Sequence, residues 1–79
     1  MDNPLESRVR RILSVLLKLD PSAIPETASI GTVPRWDSLK QLEILGAIEQ
    51  EFSVTIDPEQ AIDLTSLQAL VAFLAAQGA

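Results

Sequence analysis

The sequence predicts an all-α fold, a small bundle of three main helices plus one short helix, with a long loop between the first and second. Two observations carry this. Three segments repeat apolar residues at three- and four-residue spacing, and cap or cap-proline signatures punctuate the chain where those segments begin. Elsewhere only Ser53-Val54-Thr55-Ile56 alternates like a strand, and a lone strand would have no partner.

The first helix is expected over about Pro4 to Leu19. Asn3-Pro4-Leu5-Glu6 offers an N-cap, a proline at the first helical position and a glutamate three residues after the cap. Leu5, Val9, Ile12, Leu13 and Leu16 then recur on one face, and Asp20-Pro21 stops the run. Arg8, Arg10, Arg11 and Lys18 fall on outer faces as solvated charge, giving the domain a basic side. From Asp20 to Trp36 the chain carries Pro21, Pro25, Gly31 and Pro34 and no sustained period. A loop this long in a small domain tends to carry function or be held by its own apolar residues, here Ala23, Ile24, Ile30 and Val33.

The second helix is expected over 38–52, with two unlike faces. Ile44, Leu45, Ile48 and Phe52 form the core stripe, while Leu39, Leu42, Glu43, Gly46 and Ala47 lie opposite. An apolar pair rimmed by Glu43 and Glu49 has the character of a transient docking surface. Ser53 to Ile56 reads as a loop that buries Val54 and Ile56. Asp57-Pro58-Glu59-Gln60 opens a short helix over 58–63, and Thr65-Ser66-Leu67-Gln68 reads as a capping box for the last, over 66–77. Leu67, Leu70, Val71 and Leu74 face the core there, and Gln77-Gly78-Ala79 ends the chain.

Composition narrows the function classes. The 79 residues make one domain near the small end of what folds alone, without cysteine for a disulfide, so helix packing must hold it. Hydrophobic content of 47% with three aromatic residues implies a core of Leu, Ile, Val and Ala. The charge is uneven: residues 1–36 carry +1 and residues 37–79 carry −6. An acidic half argues against nucleic acid as a partner and suits basic protein partners. No apolar run suggests membrane insertion, and the N-terminus lacks the regions of a signal peptide, so a cytoplasmic location is expected.

The segment Arg35-Trp36-Asp37-Ser38-Leu39-Lys40-Gln41-Leu42-Glu43 carries the chemistry. It places one serine at the start of a helix, where unpaired N–H groups and the positive end of the dipole favour a negatively charged substituent. The common Ser-His and Cys-His arrangements of nucleophilic catalysis are excluded, since the chain has no histidine and no cysteine. A Ser38-Lys40 pair fails too, because residues two apart on a helix diverge and no second polar group is placed to build an oxyanion site. Metal binding has no ligand cluster. The plain use of Asp37-Ser38 is a helix cap, and the corresponding alternative function is an unmodified helical protein–protein interaction module.

The run from Asp37 to Phe52 resembles the second helix of acyl carrier proteins nearly position by position: Asp-Ser-Leu, an apolar residue and a glutamate further on, a small residue near the middle, then Ile-Glu-Gln-Glu-Phe. The likeness extends over nearly the whole chain and is strongest from Ala28 to Phe52. It implies an acyl-carrier-like bundle that is not an enzyme. In that family the serine of Asp-Ser-Leu carries 4′-phosphopantetheine, derived from coenzyme A, through a phosphodiester. The matching residue is Ser38, with Asp37 as the cap that orients it and Leu39 completing the motif. Acyl or aminoacyl intermediates would then ride as thioesters on the arm. Implied partners are a phosphopantetheinyl transferase, a loading ligase or transferase and downstream synthase enzymes, met by a monomer.

The departures from the family pattern are informative. Lys40 stands where fatty-acid carriers often have an acid, Gly46 where a methionine is often seen, and Trp36 where glycine or alanine is common. Tryptophan before Asp-Ser also occurs in D-alanyl carriers and in free-standing carriers of specialised pathways. The resemblance therefore implies a dedicated carrier, with Trp36, Leu39, Lys40, Leu42, Glu43, Gly46 and Glu49 as partner contacts.

Overall fold

A computed structural model describes residues 4–78, and the expected Asn3 cap and Ala79 lie outside the described residues. The described chain is all-helical, in the order α1 (Pro4–Leu17), a single 3-10 turn (Pro21–Ala23), α2 (Ser38–Phe52), α3 (Pro58–Ala61) and α4 (Leu67–Ala76). Helix α1 packs against both α2 and α4. Val9, Leu13 and Leu17 of α1 meet Ile44, Leu45 and Ile48 of α2 and Leu67, Leu70 and Leu74 of α4 in one buried cluster. Leu5, Ile12, Leu16, Phe52 and Val71, expected on the core faces, pack half-buried at its edge.

Helix α1 ends two residues before the expected Leu19. Lys18 turns into the left-handed region, with φ of 56°, and the Leu19 N–H donates back to the Ser14 carbonyl at 3.1 Å. That closes the helix in the Schellman manner, with a lysine where glycine would be easier. Arg35 reinforces the end from a distance: its Nη1 donates to the carbonyls of Leu17 and Lys18 at 3.0 and 3.1 Å. The positive guanidinium also meets the negative end of the α1 dipole.

The long loop is held down by Ile24, Ile30 and Val33 as expected, with Ala28 and Trp36 added and Ala23 left out. Ile24, Ala28, Val33 and Trp36 are buried, whereas Ile30 is half-buried and Ala23 is exposed. Pro21–Ala23 winds into its 3-10 turn on the Asp20 cap, which leaves Ala23 outside and turns Ile24 inward. The backbone supplies further anchors: Ile30 N–H donates to Thr65 O at 2.8 Å, Leu67 N–H to Ala28 O at 2.9 Å, and Ser29 and Ser66 form an isolated antiparallel bridge. Arg10 adds another, from Nε to Ile24 O at 3.1 Å, while pairing with Glu6 at 3.1 Å. It is therefore a structural residue and not the solvated charge expected of it.

The later elements follow their signatures with shorter ends. Helix α3 stops at Ala61 instead of Asp63, because Leu64 N–H reaches back to Ala61 O at 3.2 Å in a tighter turn that buries Leu64. The Asp57 N–H donates to Gln60 Oε1 at 3.0 Å at its start. For α4 the cap is Ser66, whose Oγ accepts the Ala69 N–H at 3.1 Å. The expected capping box from Thr65 to Gln68 is replaced by this cap, because α4 starts at Leu67 and so puts Ser66, with Ala69 three residues on, at the cap position. Between α2 and α3, Ser53 is left-handed, and Val54 and Ile56 are half-buried.

Candidate functional site at the start of the second helix

Helix α2 begins where its sequence says it must. Asp37 is extended, with φ of −119° and ψ of −174°, and its Oδ1 accepts the Lys40 N–H at 2.9 Å. The Gln41 N–H takes the Asp37 carbonyl at 2.9 Å. The N–H groups of Ser38 and Leu39 lie before the first intrahelical bond and donate to no acceptor among the described residues. Ser38 is exposed, and its hydroxyl has no hydrogen-bond partner there either. Four other serines are engaged, Ser66 Oγ by Ala69 N–H, Ser29 Oγ by Thr32 Oγ1, Ser22 Oγ by Asp20 and Ser14 Oγ by the Leu19 carbonyl, while Ser7 is exposed within α1 and lacks the Asp-Ser-Leu context. Ser53 is also exposed, but it follows the C-terminal turn of α2, where the dipole disfavours an anion.

The turn holding Ser38 is fixed from beneath by a buried polar relay. Trp36 is 2% exposed, and its Nε1–H donates to Gln41 Oε1 at 2.7 Å. Gln41 Nε2–H in turn donates to the Leu64 carbonyl at 2.6 Å. Gln41 is 8% exposed and is the only polar residue buried among the described ones. Trp36 thus does not reach the surface, and the contact role expected of it is replaced by packing. An indole has too much apolar area to remain in water once the core offers a slot and an acceptor for its N–H.

Neither Gln41 nor Arg35 was expected to act here. Gln41 had a readable signal, since Gln41, Ile44, Leu45 and Ile48 stand at i, i+3, i+4 and i+7, putting the amide on the core stripe. Arg35 had none nearby. It adopts φ of 70°, unusual for a residue with a Cβ, and sends its side chain away from Ser38 to the end of α1.

The outer face of α2 matches the expected amphipathic division. Leu39 and Leu42 are 71% and 69% exposed, and Glu43 and Gly46 are exposed beside them. Lys40 pairs with Glu43 at 2.9 Å, so its charge is locally balanced. Glu49 is half-buried and its Oε2 accepts the Ile56 N–H at 2.9 Å, giving it a loop-holding task beside its place at the rim.

The arrangement fits a phosphodiester on Ser38. The hydroxyl is unobstructed, two N–H donors stand free beside it, and the dipole of a fifteen-residue helix points its positive end there. No group of three or more metal-ligating side chains occurs among the described residues, and no helix there is long and apolar enough to cross a membrane.

Comparison with known proteins agrees with this geometry. The sequence pattern of the family described as phosphopantetheine attachment site matches residues 7–74. An acyl carrier protein of Cylindrotheca sp. (strain N1) is 34% identical over 61 residues, covering 77% of this chain and 76% of that protein. A mitochondrial acyl carrier protein of Neurospora crassa is 36% identical over 72 residues, covering 90% of this chain and 54% of the longer relative.

Proposed function

Because the chain belongs to the acyl carrier family, whose members carry covalently attached 4′-phosphopantetheine and are not catalysts, we propose that Ser38 bears the arm and that acyl or aminoacyl cargo travels on it. The observation that supports this assignment is the free Ser38 hydroxyl, set beside the two unpaired N–H groups at the start of α2. In the modification, Ser38 Oγ bonds to the phosphorus next to pantetheine in coenzyme A, and the bond to the nucleotide half breaks. The hydroxyl proton passes to a base of the transferase, since this chain has no histidine to receive it. Once attached, the group supplies a terminal thiol for thioester formation. The chain's own residues hold the attachment point: Asp37 caps the turn, Trp36 and Gln41 fix it to the core, and the unpaired N–H groups of Ser38 and Leu39 would be available to the phosphate.

Partner enzymes meet the exposed side of α2, through Leu39, Leu42, Glu43 and Gly46 with Lys40 at its flank. A covalent arm raises the effective concentration of cargo at each site, so each docking contact can stay weak and exchange quickly. Lys40, standing where an acid is frequent, favours dedicated partners of a specialised pathway over general fatty-acid enzymes, by repulsion as well as attraction. The setting is cytoplasmic.

Intact-mass measurement after incubation with coenzyme A and a broad-specificity phosphopantetheinyl transferase tests the reading. One added phosphopantetheine group is expected, with none on Ser38→Ala. Unchanged mass with several transferases would favour an unmodified interaction module, and modification of Ser38→Ala would overturn the site.

A further inference from the structure

The basic side of this acidic chain has its own groove. Between α1 and α2 lies an open depression of about 350 Å³, lined by Ile12, Val15, Leu16 and Ala47 together with Arg8, Arg11 and Glu51. Val15, inside α1, is 69% exposed there.

The cations at this groove differ from the rest. Arg10 is committed to Glu6 and the Ile24 carbonyl, Lys40 to Glu43, and Arg35 to the end of α1. Arg8 lies over the Phe52 ring at 4.3 Å and touches Glu51 at 3.4 Å, a half-exposed pair of little strength. Arg11 and Lys18 make no ion pair with described residues. Arg8, Arg11 and Val15 stand at i, i+3 and i+7, one stripe of α1, with Lys18 just past its end. Uncommitted positive charge is therefore gathered beside exposed apolar surface, on a molecule whose formal net charge is −5.

We infer that the α1–α2 groove is a second docking site, for an acidic amphipathic helix of a partner protein. Charge complementarity selects this occupant: acidic residues of the partner meet Arg8 and Arg11 in the lining, with Lys18 beyond the end of α1, and its apolar residues cover Val15, Leu16 and Ala47. An anionic membrane is the poorer fit, because a single exposed valine offers little to bury and the acidic remainder of the domain is repelled. The site is separate from the arm. Ala47 is nine residues beyond Ser38, about 13 Å along α2 and roughly half a turn around it. A partner held here leaves Ser38 accessible to a second enzyme.

The test uses the full chain labelled with nitrogen-15 and a synthetic peptide of about four helical turns with glutamate and leucine at amphipathic spacing. Its lysine-for-glutamate twin and phosphatidylglycerol–phosphatidylcholine vesicles are the other probes. Amide shifts are expected from the glutamate peptide at Arg8, Arg11, Val15 and Ala47, weakened about tenfold or more by Arg11→Glu and by Val15→Asp. The same peptide is expected to leave the rate of Ser38 phosphopantetheinylation unchanged, as is Arg11→Glu. Shifts centred on Leu39 and Leu42, equal binding of the lysine twin, binding to the vesicles alone, or blocked modification of Ser38 would each overturn the inference. A Ser38 that accepts no arm refutes the proposed function without touching the peptide result.

Discussion

Replacing Gln41 by leucine is expected to destabilise the domain far more than an exposed glutamine would. The side chain makes two buried hydrogen bonds, accepting from Trp36 Nε1 at 2.7 Å and donating to Leu64 O at 2.6 Å. Leucine leaves both partners without a mate, at about 1–3 kcal/mol for each orphaned group. The added apolar burial offsets roughly 1–2 kcal/mol, so a net loss of about 1–4 kcal/mol is expected. A domain of this size has a total stability of about 4–12 kcal/mol, and the melting temperature should fall by roughly 4–30 °C. Trp36 is the sole tryptophan and reports directly on this contact, so urea unfolding followed by its fluorescence and by far-ultraviolet circular dichroism measures the change. The linkage is checked by a double-mutant cycle with Trp36→Phe, which removes the indole donor. Gln41→Leu should then cost about 1–2 kcal/mol less than in the wild type, because only the Leu64 carbonyl is left unpaired. A loss below about 1 kcal/mol in the single variant, or strict additivity in the cycle, would refute the relay.

Three further outcomes are expected. Arg35→Gly should be about 1 kcal/mol less destabilising than Arg35→Ala by urea unfolding, because both lose the bonds to Leu17 and Lys18 but only glycine relieves the positive φ; equal losses would show that the backbone there is not strained. Leu42→Glu should change stability by about 0.5 kcal/mol or less yet slow phosphopantetheinylation, whereas Ile48→Ala should cost roughly 2–5 kcal/mol, and similar unfolding of the two would remove Leu42 from the docking face. Asp20 accepts from the Ser22 backbone N–H and then from its hydroxyl, which holds its carboxyl below the usual carboxylate range. Its contribution to stability is complete above the unfolded-state value and is lost as the pH falls through the lower folded one; a nuclear magnetic resonance titration should show that low midpoint, and Ser22→Ala should raise it.

How much was legible depended on how far apart the interacting residues lie. The Pro4 start of α1, the Asp37 cap, the stripe of Ile44, Leu45 and Ile48, and the exposure of Leu39 and Leu42 follow from residues within two helical turns of one another. Local spacing and capping chemistry therefore determined them, and with them the position of Ser38 at a helix start. The tertiary structure alone decided that Trp36 is buried instead of facing partners, that Gln41 links it to a carbonyl 23 residues away, and that Arg35 closes a helix end 18 residues behind it. It also committed Arg10 to the loop and left Arg11 uncommitted, although the two are adjacent in sequence. A polar group removed from water takes whichever partner the packed chain brings within about 3 Å, and that partner is set by how the helices cross, not by the residues beside it in sequence.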